Sequence, residues 1–271
     1  MKLKEVFYML GLKPKPKRYG SQVVSFDLPQ EGRIQYAIWQ HPRCLESKID
    51  QGMIDELRKY LSPGDTAIDI GAHVGDTAVP MAFAVGKEGT VFGLEPNEYT
   101  YHVLEANAGL NTERTNLVPL PFAATPEDGK YVFEYSDAGF CNGGQHNEIS
   151  RWKHGHTFRL TVEGRYLPAY LEQQHPEATK KLRFLKVDAE GADASILESL
   201  AGLIAETRPF IRAEVFRHLS EKQREQLYEA VACHDYTVHR FNSLHDYQGD
   251  VLTRKGMGAS ETFDIFGVPN S

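Results

Sequence analysis

The feature that most constrains the fold of this 271-residue chain is a glycine-containing turn between an apolar run and a helix-like segment. The run Thr66–Ile70 has the composition of a buried strand, and Gly71–Gly75 follows it directly. Apolar residues at helical spacing then predict a helix over Thr77–Val85. A strand, a glycine turn and a helix in this order are typical of the first unit of a nucleotide-binding α/β fold.

The charges around this turn point to a particular kind of ligand. Asp69 places a carboxylate where a dinucleotide fold holds a pyrophosphate, so repulsion disfavours that group and favours a ligand with ammonium and sulfonium groups. Glu95 ends the next apolar run, twenty positions after Gly75, where it can accept both hydroxyls of a ribose. S-adenosylmethionine has all of these groups and is the expected cofactor. A purely structural strand-to-helix turn is the alternative.

After this unit, strand-like runs alternate with amphipathic segments, which is the pattern of βαβ units and a mostly parallel sheet. The further strands that the sequence predicts are Val91–Glu95, Leu117–Leu120, Phe184–Asp188, Phe210–Val215, Tyr236–Arg240 and Phe263–Val268. The helices predicted between them are Glu98–Leu110, Asp193–Leu200 and Glu221–His234. Only a loop separates the last two strands, so they are expected to form an antiparallel pair at the edge of the sheet.

Two segments lie outside this alternation of strands and helices. Residues 1–63 are expected to form an N-terminal extension and residues 64–271 the main domain, with an inserted flap near residues 131–162. The extension is predicted to contain a charged linker Lys13–Arg18, a hairpin of Val23–Leu28 and Ile34–Trp39, and a helix Asp50–Leu61. The flap contains His146, His154 and His156, which are candidates for a base or a sugar-contacting surface, with an exposed polar loop as the simpler interpretation.

Composition limits the classes of binding partner and the cellular compartment that we expect for this protein. A formal net charge of −7 and a pI near 5.9 argue against phosphate neutralisation, so the expected partner is a small-molecule or glycan acceptor and no nucleic acid. No run approaches the length of a membrane span, and the first twelve residues lack the pattern of a secretory peptide. Cys44, Cys141 and Cys233 match no disulfide or metal spacing. A cytoplasmic protein is expected, and a homo-oligomer stays open.

Six motifs between residues 64 and 269 belong together: Ile68–Thr77, Gly93–Asn97, Leu104–Asn111, Phe184–Ala192, Arg208–Glu214 and Phe263–Pro269. Together they resemble the motifs of the FkbM family of S-adenosylmethionine-dependent methyltransferases. The resemblance implies an α/β fold with a Rossmann-like seven-stranded sheet, mostly parallel with its last strand antiparallel, and O-methylation, often of sugars or natural products. The sequence departs from the family at His73, where Asn is common, and at Val162–Arg165, where a Leu-Asp pair is usual.

The turn chemistry and the resemblance together predict the cofactor contacts. Asp69 is expected near the methionine ammonium, directly or through water, and Glu95 at the ribose. The other cofactor-binding residues expected are Gly71, Ala72, His73, Gly75, Thr77, Pro96, Asn97 and Ala123. For two of them a structural role is the alternative, because His73 is also an ordinary turn residue and Thr77 an ordinary helix N-terminal residue.

Carboxylates at two later strand ends are the catalytic candidates. Lys186, Asp188 and Glu190 alternate, so within a strand all three share one face, and Glu214 ends the next core strand. Methyl transfer to a hydroxyl requires alignment and removal of a proton. We therefore expect Asp188, Glu190 or Glu214 to orient and deprotonate the acceptor hydroxyl. A buried Lys–Asp pair that supports the sheet is the alternative.

Three further questions stay open at this level. Some methyltransferases place magnesium ligands at corresponding strand ends, so Asp188 and Glu214 are candidates for a magnesium site, without a commitment to a metal. A nicotinamide-dependent oxidoreductase shares the strand, turn, helix and acid, although Gly-x-Gly-x-x-Gly is missing. A non-catalytic binding protein that retains the methyltransferase fold is the third interpretation.

Overall fold

The computed structural model describes residues 14–44, 48–141, 143–144, 158–258 and 261–270. The strands in chain order are β1 (Ser21–Leu28), β2 (Gly32–Trp39), β3 (Thr66–Ile70), β4 (Thr90–Leu94), β5 (Leu117–Leu120), β6 (Ala123–Ala124), β7 (Gly129–Tyr135), β8 (Gly143–Gly144), β9 (Phe158–Arg165), β10 (Leu182–Val187), β11 (Phe210–Val215), β12 (Tyr236–Arg240) and β13 (Phe263–Pro269). The helices are α1 (Gln51–Leu57), α2 (Ala78–Val85), α3 (Glu98–Ala108), α4 (Leu167–Gln174), α5 (Pro176–Thr179), α6 (Asp193–Ser199), α7 (Ala201–Thr207) and α8 (Glu221–Ala232), and a 3₁₀ turn spans Arg254–Met257.

A seven-stranded sheet in the order β12-β13-β11-β10-β3-β4-β5 forms the core. The neighbours from β11 to β5 are parallel, whereas β13 is antiparallel to both β11 and β12. The expected fold class is therefore confirmed, including the antiparallel last strand and its pairing with β12 at the sheet edge. Four strand predictions have the bounds that the structure shows: Thr66–Ile70, Leu117–Leu120, Phe210–Val215 and Tyr236–Arg240.

The centre of the sheet is buried on both faces because its strands and first helix are almost entirely apolar. All five residues of β3 and all eight residues of α2 are buried. A strand that is buried along its whole length suits a parallel sheet covered by helices on both sides. Pro80 lies in the first turn of α2, where its missing N–H breaks no helical hydrogen bond. The carboxyl ends of β3, β4 and β10 consequently open onto one edge of a well-packed core.

The N-terminal hairpin of β1 and β2 is attached to α3 by a ladder of side chains. The amide of Asn107 accepts from the backbone N–H of Ala37 at 2.6 Å and donates to its carbonyl at 3.0 Å. One helical turn later, Asn111 makes the same pair of bonds with Gln35, at 2.9 and 2.8 Å. Arg114 continues the ladder by donating to two further hairpin carbonyls, at 2.6 and 2.9 Å. These amides take the hydrogen bonds that a neighbouring strand would otherwise make with β2.

A second, four-stranded sheet in the order β6-β9-β7-β8 lies beside the first, and sequence periodicity did not predict it as a unit. The two ends of the expected flap are formed by β7 and β9, which pair antiparallel. The candidate residues His146, His154 and His156 lie outside the described residues. Within the part of the chain that the structure covers, no helix is both long enough and apolar enough to cross a membrane.

Candidate active site

A cavity of about 370 Å³ lies at the carboxyl ends of β3, β4 and β10. This is the edge at which ligands bind in open α/β sheets. Nine of the residues expected from the sequence line it: Gly71, His73, Thr77, Glu95, Pro96, Asn97, Ala123, Asp188 and Glu190. The expected residues Asp69, Ala72, Gly75 and Glu214 are not among those that line it.

Asp69 is completely buried behind the cavity wall. Its carboxylate accepts hydrogen bonds from the ammonium of Lys186 at 3.0 Å and from the hydroxyl of Thr77. Burial alone would lower the pKa of Lys186, but the carboxylates of Asp69 and Asp188 outweigh burial and hold that pKa above its usual value. The charge of Asp69 is therefore balanced by a lysine from the neighbouring strand, and its carboxylate is not exposed to a ligand.

The two glycines of the turn are required by packing inside the protein. Gly71 has φ +78°, and a Cβ there would lie 2.0 Å from the carbonyl oxygen of Asp188. Gly75 has φ +95°, and a Cβ there would lie 3.1 Å from the side chain of Leu104 on α3. Both positions combine a left-handed backbone with a close neighbour, so a side chain is disfavoured twice. The turn is thus held tightly against β10 and α3.

Glu95 lies at the end of β4 and is buried at the cavity wall, with 7% of its surface exposed. Its carboxylate accepts the backbone N–H of Asn97 at 2.8 Å. Burial raises the pKa of Glu95 to about 7, although hydrogen bonds to its ionised form oppose the shift. Further hydrogen bonds from a ligand's hydroxyl groups would stabilise the charged form.

His73 has a left-handed backbone, with φ 49°, in the middle of the turn. Its ring meets Trp39 of the hairpin edge-on, with the ring centroids 5.6 Å apart. Burial lowers the pKa of His73, so the imidazole is neutral near pH 7. Its Nε2 atom is buried and has no hydrogen-bond partner among the described residues. A neutral imidazole nitrogen at the cavity wall is therefore able to bond a ligand.

The loop after β10 corrects one expectation from the sequence. β10 ends at Val187, and Glu190 has a left-handed backbone with φ 52°, so Glu190 does not share a strand face with Lys186. Asp193 shapes the loop by accepting two of its backbone N–H groups, at 3.2 and 3.1 Å. Asp188, at the start of the loop, keeps 43% of its side chain exposed and lies 3.4 Å from the Lys186 ammonium. Of the three catalytic candidates, Asp188 therefore has a carboxylate that is both accessible and oriented by a neighbour.

The carboxyl group of Glu214 lies in a different environment from that of Asp188. Its Oε2 atom is buried without a hydrogen-bond partner among the described residues. Burial first, and then the nearby carboxylates of Asp188 and Glu190, raise the pKa of Glu214 to about 9. A carboxyl group that holds its proton at neutral pH is a poor acceptor for another proton. In the described ranges, no three His, Cys, Asp or Glu side chains come together as a metal site, so the magnesium hypothesis for Asp188 and Glu214 lacks a third protein ligand.

Sequence reasoning missed several cavity residues that come from elements outside the glycine turn, among them Phe133, Tyr135 and Arg212. Phe133 and Tyr135, two positions apart on β7, both line the cavity. Alternation along this strand could have identified them as one face. Arg212 of β11 also lines the cavity and is the register partner of Lys186. Arg212 and Glu214 alternate with apolar residues along this strand, and that alternation was the available signal.

The fold and the cavity define an α/β protein with a Rossmann-like seven-stranded sheet and a ligand site at the carboxyl ends of its parallel strands. A sequence profile described as Methyltransferase FkbM domain matches residues 69–251. The chain therefore belongs to the FkbM family of S-adenosylmethionine-dependent methyltransferases. The family confirms the expected cofactor, S-adenosylmethionine, and decides against a nicotinamide-dependent oxidoreductase.

Individual relatives were also found. The fibrillarin-like rRNA/tRNA 2'-O-methyltransferase of Thermococcus onnurineus (strain NA1) is 34% identical over 120 residues, which are 44% of this chain and 48% of the relative. The rRNA 2'-O-methyltransferase fibrillarin of Dictyostelium discoideum is 28% identical over 153 residues, which are 55% of this chain and 43% of the relative. The chain thus spans about half the length of the curated relatives that it matches.

Two solved structures are similar in outline. Methyltransferase FkbM from Methylobacillus flagellatus KT superposes with a TM-score of 0.46 and 13% identity, covering 76% of this chain and 44% of that chain. Aeropyrum pernix fibrillarin, in complex with natively bound S-adenosyl-L-methionine, superposes with a TM-score of 0.42 and 10% identity, covering 94% of this chain and 97% of that chain.

These relatives correct one expectation. The acidic net charge was taken to leave only small-molecule or glycan acceptors and to exclude nucleic acid, and this is wrong, because the relatives of known activity are rRNA and tRNA methyltransferases. Net charge averages over the whole surface, whereas recognition depends on charge at the site.

Proposed function

We propose that the protein transfers the methyl group of S-adenosylmethionine to a hydroxyl oxygen of a sugar unit, with Asp188 as the base. The observation that carries this proposal is the accessible carboxylate of Asp188 at the cavity, beside the turn expected to hold the cofactor. In the reaction, the O–H bond of the acceptor breaks and its proton passes to Asp188. The oxygen forms a bond to the methyl carbon, the carbon–sulfur bond breaks, and S-adenosylhomocysteine leaves as a neutral thioether.

The cofactor contacts that we propose follow from the wall of the cavity. Glu95 accepts the ribose hydroxyls, and Pro96 and Ala123 border the adenine. The side chain of Asn97 is already engaged, because it donates to a backbone carbonyl at 2.8 Å and caps α3. Asn97 therefore contributes its backbone. His73 binds the methionine carboxylate through its free imidazole nitrogen.

The methionine end of the cofactor lies next to the glycine turn in this proposal. Gly71 and Thr77 line the cavity there. Asp69 acts on the ammonium at a distance, through water, because its carboxylate is paired with Lys186. Ala72 and Gly75 support the turn from behind. The role of Lys186 is to hold Asp188 towards the cavity while it balances Asp69.

The acceptor that the relatives favour is the 2′-hydroxyl of a ribose in RNA, since they are rRNA and tRNA 2'-O-methyltransferases. The resemblance to the FkbM family favours a second acceptor class, the hydroxyl of a free sugar or natural product. Both classes present a secondary hydroxyl to the same base, so one assay compares them.

The test is release of S-adenosylhomocysteine from the purified full chain, with short RNAs, their 2′-deoxy counterparts and free sugars as acceptors. We expect turnover that requires the acceptor hydroxyl, and its loss in Asp188→Asn while calorimetry shows unchanged affinity for S-adenosylmethionine. Glu198→Gln, which removes an exposed carboxylate on α6, is the matched control and should keep full activity. Absence of cofactor binding, or full activity in Asp188→Asn, would refute the proposal. Cofactor binding without any turnover would indicate the non-catalytic protein.

A further inference from the structure

Arg212 is a cationic side chain at the cavity that the proposed reaction does not use. Its guanidinium is fixed on one side by Asp264, whose carboxylate accepts from Nε at 2.7 Å and from Nη2 at 2.6 Å. The ring of Phe241 lies against it, with its centroid 4.1 Å from the guanidinium carbon. Only 12% of the side chain is exposed. A guanidinium with two such neighbours has little freedom to turn.

One edge of this guanidinium is unused. Nη1 is buried and has no hydrogen-bond partner among the described residues. Buried N–H groups of a charged side chain are almost always hydrogen-bonded, because leaving them without a partner is costly. Arg212 is among the residues that line the cavity, so we take an oxygen atom of a bound molecule as the partner of this edge. The donor is already oriented before the ligand arrives, which favours affinity and selectivity.

The position of Arg212 relative to Asp188 suggests which part of the ligand it binds. Arg212 is in register with Lys186 on the adjacent parallel strand, and Asp188 follows Lys186 by two residues. Both side chains line the same cavity, and although burial alone would lower the pKa of Arg212, Asp264 and, more weakly, Asp188 raise it. An acceptor hydroxyl bound at Asp188 therefore has the Arg212 guanidinium beside it as a hydrogen-bond donor.

The charges around Arg212 indicate that the ligand atom bound by its Nη1 is an uncharged oxygen. Asp264 already balances Arg212, and Asp69 balances Lys186, while Asp188 adds a negative charge to the same end of the cavity. An anionic group placed between them would face a carboxylate without an unpaired cation to offset it. A hydroxyl oxygen accepts from Nη1 without that cost. A sugar diol offers one hydroxyl to Asp188 and the adjacent hydroxyl to Arg212.

We propose that Arg212 determines acceptor specificity by donating from Nη1 to the hydroxyl adjacent to the one that is methylated, so that the acceptor is a vicinal diol of a sugar. The inference rests on the proposed methyltransferase function. This specificity favours a terminal or free ribose, which has adjacent 2′ and 3′ hydroxyls, over an acceptor that has a phosphate at the neighbouring carbon.

The experiment uses three short RNAs that differ only at the 3′-terminal ribose: a 2′,3′-diol, a 3′-deoxy sugar and a 3′-phosphate. Methyl β-ribofuranoside and its 3-deoxy analogue form a second pair. With the wild-type full chain, we expect the diol to be methylated with a kcat/KM about 10- to 100-fold above that of its deoxy partner, the range for a hydrogen bond to a charged group. The 3′-phosphate should be used no better than the deoxy RNA.

Arg212→Lys keeps the charge and loses the free edge of the guanidinium. We expect this variant to use diol and deoxy acceptors with equal kcat/KM, with unchanged affinity for S-adenosylmethionine. Equal use of both acceptors by the wild type, or undiminished preference in Arg212→Lys, would overturn the inference. The wild-type comparison needs no variant, so poor folding of Arg212→Lys does not weaken the test.

A failure of the proposed function has a different signature. If the wild type forms no S-adenosylhomocysteine with any acceptor, binding of the ribofuranoside pair to the protein saturated with S-adenosylhomocysteine is measured by calorimetry. Tighter binding of the diol than of the deoxy sugar would support Arg212 as the specificity residue and count against the proposed chemistry. Equal binding, or none, would overturn the assignment of Arg212 as well.

Discussion

Replacing Asn107 by alanine tests how the N-terminal hairpin and the cofactor turn depend on one side chain. The Asn107 amide accepts from Ala37 N–H at 2.6 Å, and donates to the carbonyls of Ala37 at 3.0 Å and Val74 at 2.8 Å. All three bonds are buried. Each partner left without a hydrogen bond costs about 1–3 kcal/mol, and carbonyls that keep another partner cost less. We therefore expect a loss of about 3–5 kcal/mol in the free energy of unfolding.

A loss of this size is a large fraction of the about 5–15 kcal/mol by which domains are typically stable. Differential scanning calorimetry should show a fall in Tm of roughly 6–20 °C, at about 2–4 °C per kcal/mol for a chain of this size. Val74 lies between His73 and Gly75 in the turn, so the affinity for S-adenosylmethionine should also fall.

Asn111, just beyond the end of α3, provides the matched control. Its side chain makes two hydrogen bonds with Gln35 of the hairpin and accepts a third from Arg114 at 3.3 Å, and none of them involves the turn. Its backbone has φ 55°, so Asn111→Gly removes the amide without adding backbone strain. We expect this variant to lose about 1–3 kcal/mol of stability with an unchanged cofactor affinity. Equal effects of both variants on cofactor affinity, or a Tm of Asn107→Ala within 2 °C of the wild type, which is less than ~1 kcal/mol, would refute the reasoning.

Three further outcomes are expected. Calorimetry should show the affinity for S-adenosylmethionine falling about tenfold per pH unit below pH 7, because ribose hydroxyls bind the ionised form of Glu95, whose pKa is about 7. Glu95→Gln should bind the cofactor weakly, with an affinity that does not change over this pH range. The folded state holds a proton on Glu214 up to about pH 9, whereas the unfolded chain releases it near pH 4.5. Chemical denaturation should therefore show the free energy of unfolding falling between these pH values by at most about 1.4 kcal/mol per pH unit. Glu214→Gln should lack this loss. Gly71→Ala should lower both Tm and cofactor affinity, since its Cβ meets the Asp188 carbonyl oxygen at 2.0 Å; wild-type behaviour would contradict this packing.

The sequence predicted the sheet well because its signals are local. Alternation of apolar runs with helical periodicity identified strands such as Leu117–Leu120, whose bounds agree with the structure. The sequence also predicted Glu95 at the end of the strand after the glycine turn, and Glu95 lies at the cavity because the carboxyl ends of the neighbouring parallel strands β3 and β4 meet at one edge. Both inferences depend on residues that are close in sequence or on one repeated unit.

The remaining features depend on pairings that sequence distance hides. Asp69 was treated as a free carboxylate, whereas Lys186, 117 residues later, neutralises it. Gly71 was assigned to approach of the cofactor, yet the nearest atom to its missing Cβ belongs to Asp188. Arg212 became visible as a cavity residue only once the strand order placed β11 beside β10. Each case needs the register between strands, which composition and periodicity do not contain.

The position of S-adenosylhomocysteine in a crystal structure of the complex tests the central claim most directly. We expect the ribose hydroxyls within hydrogen-bond distance of the Glu95 carboxylate, and the sulfur facing the space between Asp188 and Arg212. A ribose bound away from Glu95, or a sulfur atom separated from Asp188 by the adenosine, would contradict the account.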